Sequence, residues 1–206
     1  MKTVQPITRR HLLQQMTTIV LGTCAIPAIS AAQEYKKRKI EIPNASTIYI
    51  APNEGKRGQI GNMDIVFKLN KQQTNGYAGI WESVIQPGEL GAPPHYHSTY
   101  DEICQVKEGS VFIMTGDVVT EVKAGGWHLR PKGTVHTFWN SGNIPAKTID
   151  ICIPGGHEDY MQELAILFEN NRRPKQEDFK HLSEKHDIHY RFDILESIVK
   201  KYKVNL

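Results

Sequence analysis

A chain of 206 residues is long enough for one domain with a real core, or for one domain plus extensions. Its formal charge of +3 matches the three charges before residue 33, Lys2, Arg9 and Arg10, so the rest of the chain balances to zero. That balance gives no electrostatic reason to expect a nucleic-acid partner.

The chain opens on a basic segment ending in Thr8-Arg9-Arg10-His11-Leu12-Leu13-Gln14. A mildly apolar run follows to Ile29, then the small residues Ser30, Ala31 and Ala32. This is the layout of an export signal over residues 1–32, too short and too polar for a stable membrane span. The Thr-Arg-Arg-x-Leu-Leu segment resembles the twin-arginine signal, with Leu12 where phenylalanine is usual and Gln14 where lysine is usual. The expected destination is therefore the periplasm or the medium. Leu21-Gly22-Thr23-Cys24 resembles a lipobox, and a lipoprotein anchored through Cys24 is the alternative. Residues 33–43, with Lys36-Lys37-Arg38-Lys39, read as a solvated, flexible lead-in.

From residue 44 to 155, strand patterns succeed one another at 46–51, 63–69, 77–86, 102–107, 110–115, 118–123, 127–130, 134–139 and 147–153. Turn residues such as Asn75-Gly76, Pro87-Gly88 and Gly116-Asp117 separate them. Many short strands at near-even spacing predict a β-sandwich or barrel. Within this region two segments concentrate metal-binding side chains. The first is Gly91-Ala-Pro-Pro-His95-Tyr-His97-Ser-Thr-Tyr-Asp-Glu102, running on to Gly109. The second is Gly125-Gly-Trp-His-Leu-Arg-Pro131-Lys-Gly133-Thr-Val-His136-Thr-Phe-Trp-Asn140. His95 and His97 are two apart, so an extended chain projects both imidazoles from one face, within reach of one ion.

These two segments resemble the paired motifs of the cupin superfamily. The second meets every position of its pattern, at Gly125, Pro131, Gly133, His136 and Asn140. The first departs only in the spacing of Gly91. The resemblance implies a mainly β fold, a double-stranded β-helix or jelly-roll barrel, followed by a C-terminal helical extension over 156–206. Carried over residue by residue, it makes His95, His97, Glu102 and His136 the ligands of one divalent transition metal. Three imidazoles and a carboxylate suit Fe, Mn, Ni, Co, Cu or Zn. Inward strand parity nominates Cys104, Phe112, Met114, Phe138 and Asn140 as pocket-lining. Cys104 and Cys152 are the cysteines left beyond the leader, and one disulfide between them stays open.

After Pro154-Gly155-Gly156 the pattern turns helical, with apolar stripes at 157–170, at 176–185 and from Phe192 onward that read as packing against the barrel. The remaining histidines, including His128, His157, His181, His186 and His189, read as surface or satisfied core residues. Barrel, Pro-Gly-Gly and a tail beginning His157-Glu158 together resemble bacterial single-domain cupins related to quercetin dioxygenase. That likeness implies a dioxygenase of a small phenolic or enolic molecule, with Glu102 as ligand and as the base that takes the substrate proton. Two other classes stay open: a cupin isomerase, lyase or decarboxylase using the metal as a Lewis acid, and a cupin that binds a small ligand without turnover. A homodimer is likewise left open.

Overall fold

The computed structural model of the protein describes residues 47–172 and 174–206. The leader, the lipobox cysteine and the lead-in all lie outside the described residues. Eleven strands build two antiparallel sheets. One sheet has the order β1 (Lys56–Ile60), β2 (Met63–Leu69), β3 (Gly79–Ile85), β10 (Ala146–Ile153), β5 (Asp101–Glu108), β8 (Trp127–Arg130). The other runs β11 (His189–Tyr190), β4 (His95–Tyr96), β9 (His136–Trp139), β6 (Ser110–Thr115), β7 (Val118–Lys123). Three helices follow the barrel strands: α1 (His157–Phe168), α2 (Gln176–Lys185) and α3 (Phe192–Tyr202).

Strand alternation explains the layering. On β3 the buried positions are Gly79, Trp81, Ser83 and Ile85, and on β5 they are Glu102, Cys104 and Val106. These inward rows meet Ile65, Phe67, Val111 and Ile113 from neighbouring strands in a continuous core. A second apolar cluster lies on the outer face of the five-stranded sheet, where Leu90 and Trp139 pack against Ile198 and Val204. There α3 covers the sheet, and Tyr202 packs its ring 4.3 Å from that of Trp139.

Two expectations are corrected. No strand forms over 47–51; Ile48 and Tyr49 are exposed, because strand propensity without a pairing partner does not hold a strand. The edge is taken instead by β1, whose Lys-Arg-Gly-Gln-Ile sequence shows no apolar alternation: it pairs only with β2, Lys56, Arg57 and Gln59 are exposed, and only Gly58 and Ile60 turn inward. The tail also contributes a strand: β11 pairs with β4, placing Tyr190 opposite His95.

The tail is joined to the barrel by polar contacts as well as apolar ones. Glu158, on α1, is fully buried, and its carboxylate accepts the backbone N–H groups of Lys71 and Gly156, each at 2.7 Å. Gly79 makes room for it: a Cβ there would lie 1.8 Å from Glu158 Oε2. Asp187 performs a similar task at the other end. Its carboxylate accepts the backbone N–H and the hydroxyl of both Ser98 and Thr99, at 2.7 to 3.0 Å, and His189 Nε2 lies 2.8 Å from Oδ1. Partial burial opposes ionisation of Asp187, but the hydrogen bonds from Ser98 and Thr99 outweigh it and hold the carboxyl below its usual range.

A depressed folded-state pKa contributes stability that is present above the unfolded value, about 3.9, and is lost as pH falls toward the folded one. Asp187→Asn is therefore expected to lower unfolding free energy by about 2 kcal/mol at pH 7. The gap from wild type should shrink as urea unfolding is repeated below about pH 4. A gap that stays constant over that range would show that charge at Asp187 is not what anchors the tail.

Candidate metal centre

Four side chains from three segments of the chain meet inside the barrel. His95 lies on β4, and His136 on β9 is its direct cross-strand partner. His97 sits one residue beyond β4, and Glu102 is the second residue of β5. All four are buried, and one ligand atom from each lies within 4.8 Å of the others. The three imidazoles are oriented alike. Each Nδ1 faces a backbone carbonyl: His95 that of Pro93 at 2.8 Å, His97 that of Tyr100 at 2.7 Å, His136 that of Thr134 at 2.9 Å. Carbonyls only accept, so each Nδ1 carries the proton and each Nε2 offers a lone pair. This is how metal-binding histidines are held.

The Nε2 atoms of His97 and His136 are buried and have no hydrogen-bond partner among the described residues. They point instead at Glu102 Oε2, at 3.6 and 3.2 Å. Buried lone pairs turned on one another and on a carboxylate are unfavourable alone and are relieved by a cation among them. The donor set thus fits a divalent transition metal, with His95, His97, Glu102 and His136 as the residues that could hold it.

Around this set stand groups that the sequence patterns do not single out. Arg130 faces Glu102 across the β5–β8 pair, with Nη1 3.4 Å from Oε2, and binds Asp150 at 2.5 Å through Nη2. Thr148 donates its hydroxyl to the other oxygen of Asp150. His157, the first residue of α1, puts Nε2 3.3 Å from Glu102 Oε1 and Nδ1 2.6 Å from the Tyr100 hydroxyl. Burial alone would raise the Glu102 pKa, but Arg130 first and then His157 hold it well below the carboxylate range. Arg130 stays protonated: burial works against its charge, while Glu102 and Asp150 outweigh that effect. Burial lowers His157 to about 3, keeping its imidazole neutral.

A cavity of about 840 Å³ opens over the ligands. His95, Glu102, Arg130 and His157 form one side, and Trp81, Phe138, Tyr160, Met161 and Leu164 form much of the rest. Exposed lining residues Gln59, Asn62 and Arg172 mark where it meets solvent. Tyr160 and Tyr190 hydrogen-bond through their hydroxyls across the space between α1 and β11. Of the residues nominated as lining, Phe138 borders the cavity, and Gly91 lets it do so, since a Cβ at Gly91 would fall 1.9 Å from the Phe138 ring.

The other nominated residues lie elsewhere. Phe112 and Met114 face outward and pack with the cluster beneath α3, because β6 turns Val111 and Ile113 to the core. The parity inferred for β6 was off by one. Asn140 is buried but locks the turn after β9, donating to the carbonyls of Ile85 and Ile144 and accepting from Gly142 N–H. Cys104 does face inward, into packed core beside Asp150 and away from the cavity. Both Cys104 and Cys152 are free thiols. His157 is the clearest omission. Glu158 and Asp159 beside it look like the acidic first turn of a surface helix, and only the Pro-Gly-Gly before them hints that the chain turns inward.

Residues 81–152 match a family model described as a cupin domain. That span holds all four candidate ligands; His157 and the helices lie beyond it. Protein SchB of Streptomyces halstedii is 27% identical over 100 residues, covering 48% of this chain and 69% of that protein. Among solved structures, a predicted oxalate decarboxylase from Thermotoga maritima is similar at 19% identity and a TM-score of 0.49, covering 52% of this chain and 99% of that one. The polyketide cyclase RemF from Streptomyces resistomycificus is similar at 16% identity and a TM-score of 0.46, covering 52% and 80%.

Wild-type protein loaded with metal should melt higher than the apo form, since a ligand at 100 times its Kd adds about 2.7 kcal/mol to the folded state. In His136→Ala, metal content by elemental analysis and the metal-dependent rise in Tm should both disappear. Retention of stoichiometric metal by that variant would place the ion elsewhere.

Proposed function

We propose that the protein is a metal-dependent oxygenase acting on a small phenolic or enolic molecule. The observation that carries this reading is the convergence of three imidazoles and one carboxylate, two of which, His95 and Glu102, line a cavity with aromatic walls. A bound transition metal would supply a Lewis-acidic, redox-capable centre at which an acidic hydroxyl of the substrate is polarised toward oxidation by dioxygen.

The chain's own residues supply the rest. His95, His97 and His136 hold their lone pairs ready through backbone hydrogen bonds, so no reorientation precedes binding. Trp81, Phe138, Met161 and Leu164 favour a flat, largely apolar substrate and exclude bulk water from it. Paired hydroxyls of Tyr160 and Tyr190 retain one O–H free to donate to a substrate oxygen. The resemblance also implies that Glu102 serves as a base, and this would require it to leave His157 and Arg130. Those contacts support the ligand role of Glu102 more directly than the base role.

The test is oxygen uptake by protein loaded in turn with Fe, Mn, Co, Ni and Cu, offered flavonols, catechols and diketones. At least one pairing should consume dioxygen. Glu102→Gln, which removes the anion, should bind metal at least tenfold more weakly and lose activity in proportion. Turnover falling far beyond the metal loss would restore the base role. No oxygen consumption in any pairing, with anaerobic conversion of an organic acid or sugar, would replace the oxygenase by Lewis-acid catalysis.

We also propose export, on the Thr8-Arg9-Arg10 segment and the apolar run behind it. Replacing both arginines with lysine should leave unprocessed precursor in the cytoplasm. Undiminished delivery would assign the general export route, and lipid labelling abolished by Cys24→Ser would assign the lipoprotein one.

A further inference from the structure

One residue outside the ligand set touches one of its members directly and reaches a second through His157. The backbone carbonyl of Tyr100 accepts the Nδ1–H of His97 at 2.7 Å, and its ring stacks on the His97 imidazole with centroids 3.8 Å apart. Its hydroxyl meets His157 Nδ1 at 2.6 Å, and His157 Nε2 in turn lies 3.3 Å from Glu102 Oε1. Tyr100, His157 and Glu102 are 5%, 5% and 2% exposed, so water competes little for these contacts.

The direction of the chain of hydrogen bonds follows from its last member. A carboxylate only accepts, so the ring nitrogen facing it carries the proton. His157 Nε2–H therefore faces Glu102 Oε1 across 3.3 Å. Nδ1 then has a lone pair and accepts from the Tyr100 O–H. The other tautomer would set a lone pair against the Glu102 carboxylate and leave the Tyr100 hydroxyl only to accept. Oε1 is the oxygen His157 faces, and Oε2 is the one that faces His97 and His136, with the Arg130 guanidinium 3.4 Å from it. His157 is itself fixed from behind, because the buried Glu158 beside it ties the start of α1 to Lys71 and Gly156.

We infer that Tyr100 and His157 form an outer clamp that sets which oxygen Glu102 presents to the ion, and so control the affinity and geometry of metal binding. The clamp rests on the four residues being a metal centre, and not on the reaction performed there. Both are positioning residues acting through Glu102, and they act in series: Tyr100 holds the tautomer of His157, and His157 holds the carboxylate. Losing either end should have the same consequence as losing both.

The probe is Co(II), titrated into the full chain against a chromophoric chelator, with the visible absorption bands of the bound ion recorded alongside. Wild type should bind one Co(II) per chain. Tyr100→Phe keeps the ring stack and the backbone carbonyl and removes only the hydroxyl. It and His157→Leu should each weaken Co(II) binding by about 10- to 100-fold and shift the absorption bands. The double variant should bind no more weakly than His157→Leu alone. His157→Gln retains an N–H donor and should recover part of the affinity that His157→Leu loses. Melting of the apo proteins shows whether His157→Leu folds; if it does not, Tyr100→Phe and His157→Gln carry the comparison. Unchanged affinity and bands in Tyr100→Phe and His157→Leu would overturn the clamp, and additive losses in the double variant would overturn its serial arrangement. A wild type that takes up no Co(II) would overturn the metal centre itself, a failure visible before any variant is compared.

Discussion

A single buried carboxylate sets the conditions for everything near it. Glu102 sits in the dry interior of a jelly roll, where an isolated negative charge would be strongly disfavoured. The barrel answers with Arg130 across the strand pair, His157 from the tail and imidazoles of the candidate ligand set. Arg130 brings its own requirement, met by Asp150, which in turn takes a hydrogen bond from Thr148. With Glu102 and Asp150 ionised, Arg130 protonated and His157 neutral, the assembly carries one net negative charge, which a divalent cation would convert to one net positive charge. Such a centre draws in an electron-rich or acidic oxygen.

That arrangement explains why the tail is part of the site and not an appendage to it. α1 begins inside the barrel mouth with His157, continues with Tyr160, Met161 and Leu164 along the cavity wall, and is fastened by Glu158. β11 extends the five-stranded sheet at its edge beside β4 and brings Tyr190 within 6.0 Å of the His95 ring, measured between centroids. Asp187 ties the same segment to the Ser98-Thr99 loop between two ligands. Barrel and tail are coupled most strongly at Glu158, whose buried carboxylate and backbone partners would be left unsatisfied by its loss.

What could be read from residues alone follows how local each signal is. His95, His97, Glu102 and His136 were legible because their spacing is fixed within single strands and turns. β2, β6, β7 and β8 were legible because their alternation or turn residues are strong. Phe112 and Met114 were assigned to the wrong face because the inward parity of β6 is set afresh at the Gly109 turn and by its register with β9, where Ile113 opposes Phe138. β1 was missed because an exposed edge strand needs no apolar row. His157, Arg130 and Asp150 were missed for a deeper reason: buried charge looks like surface charge until its partner is known, and each partner here is distant in sequence.

The order of segments along the chain also dictates an order of events. Synthesis from the N-terminus delivers both motifs before any residue of α1 emerges, and strands can pair while the tail is still being made. At that moment the converging histidines floor an open cup without Tyr160, Leu164 or Tyr190 above it. An ion arriving then would meet these residues directly, whereas one arriving after the tail has docked would enter past lining residues such as Gln59 and Arg172. Were these residues to hold a metal, the moment of filling, as well as the chemistry of the ligands, would then bear on which ion is held.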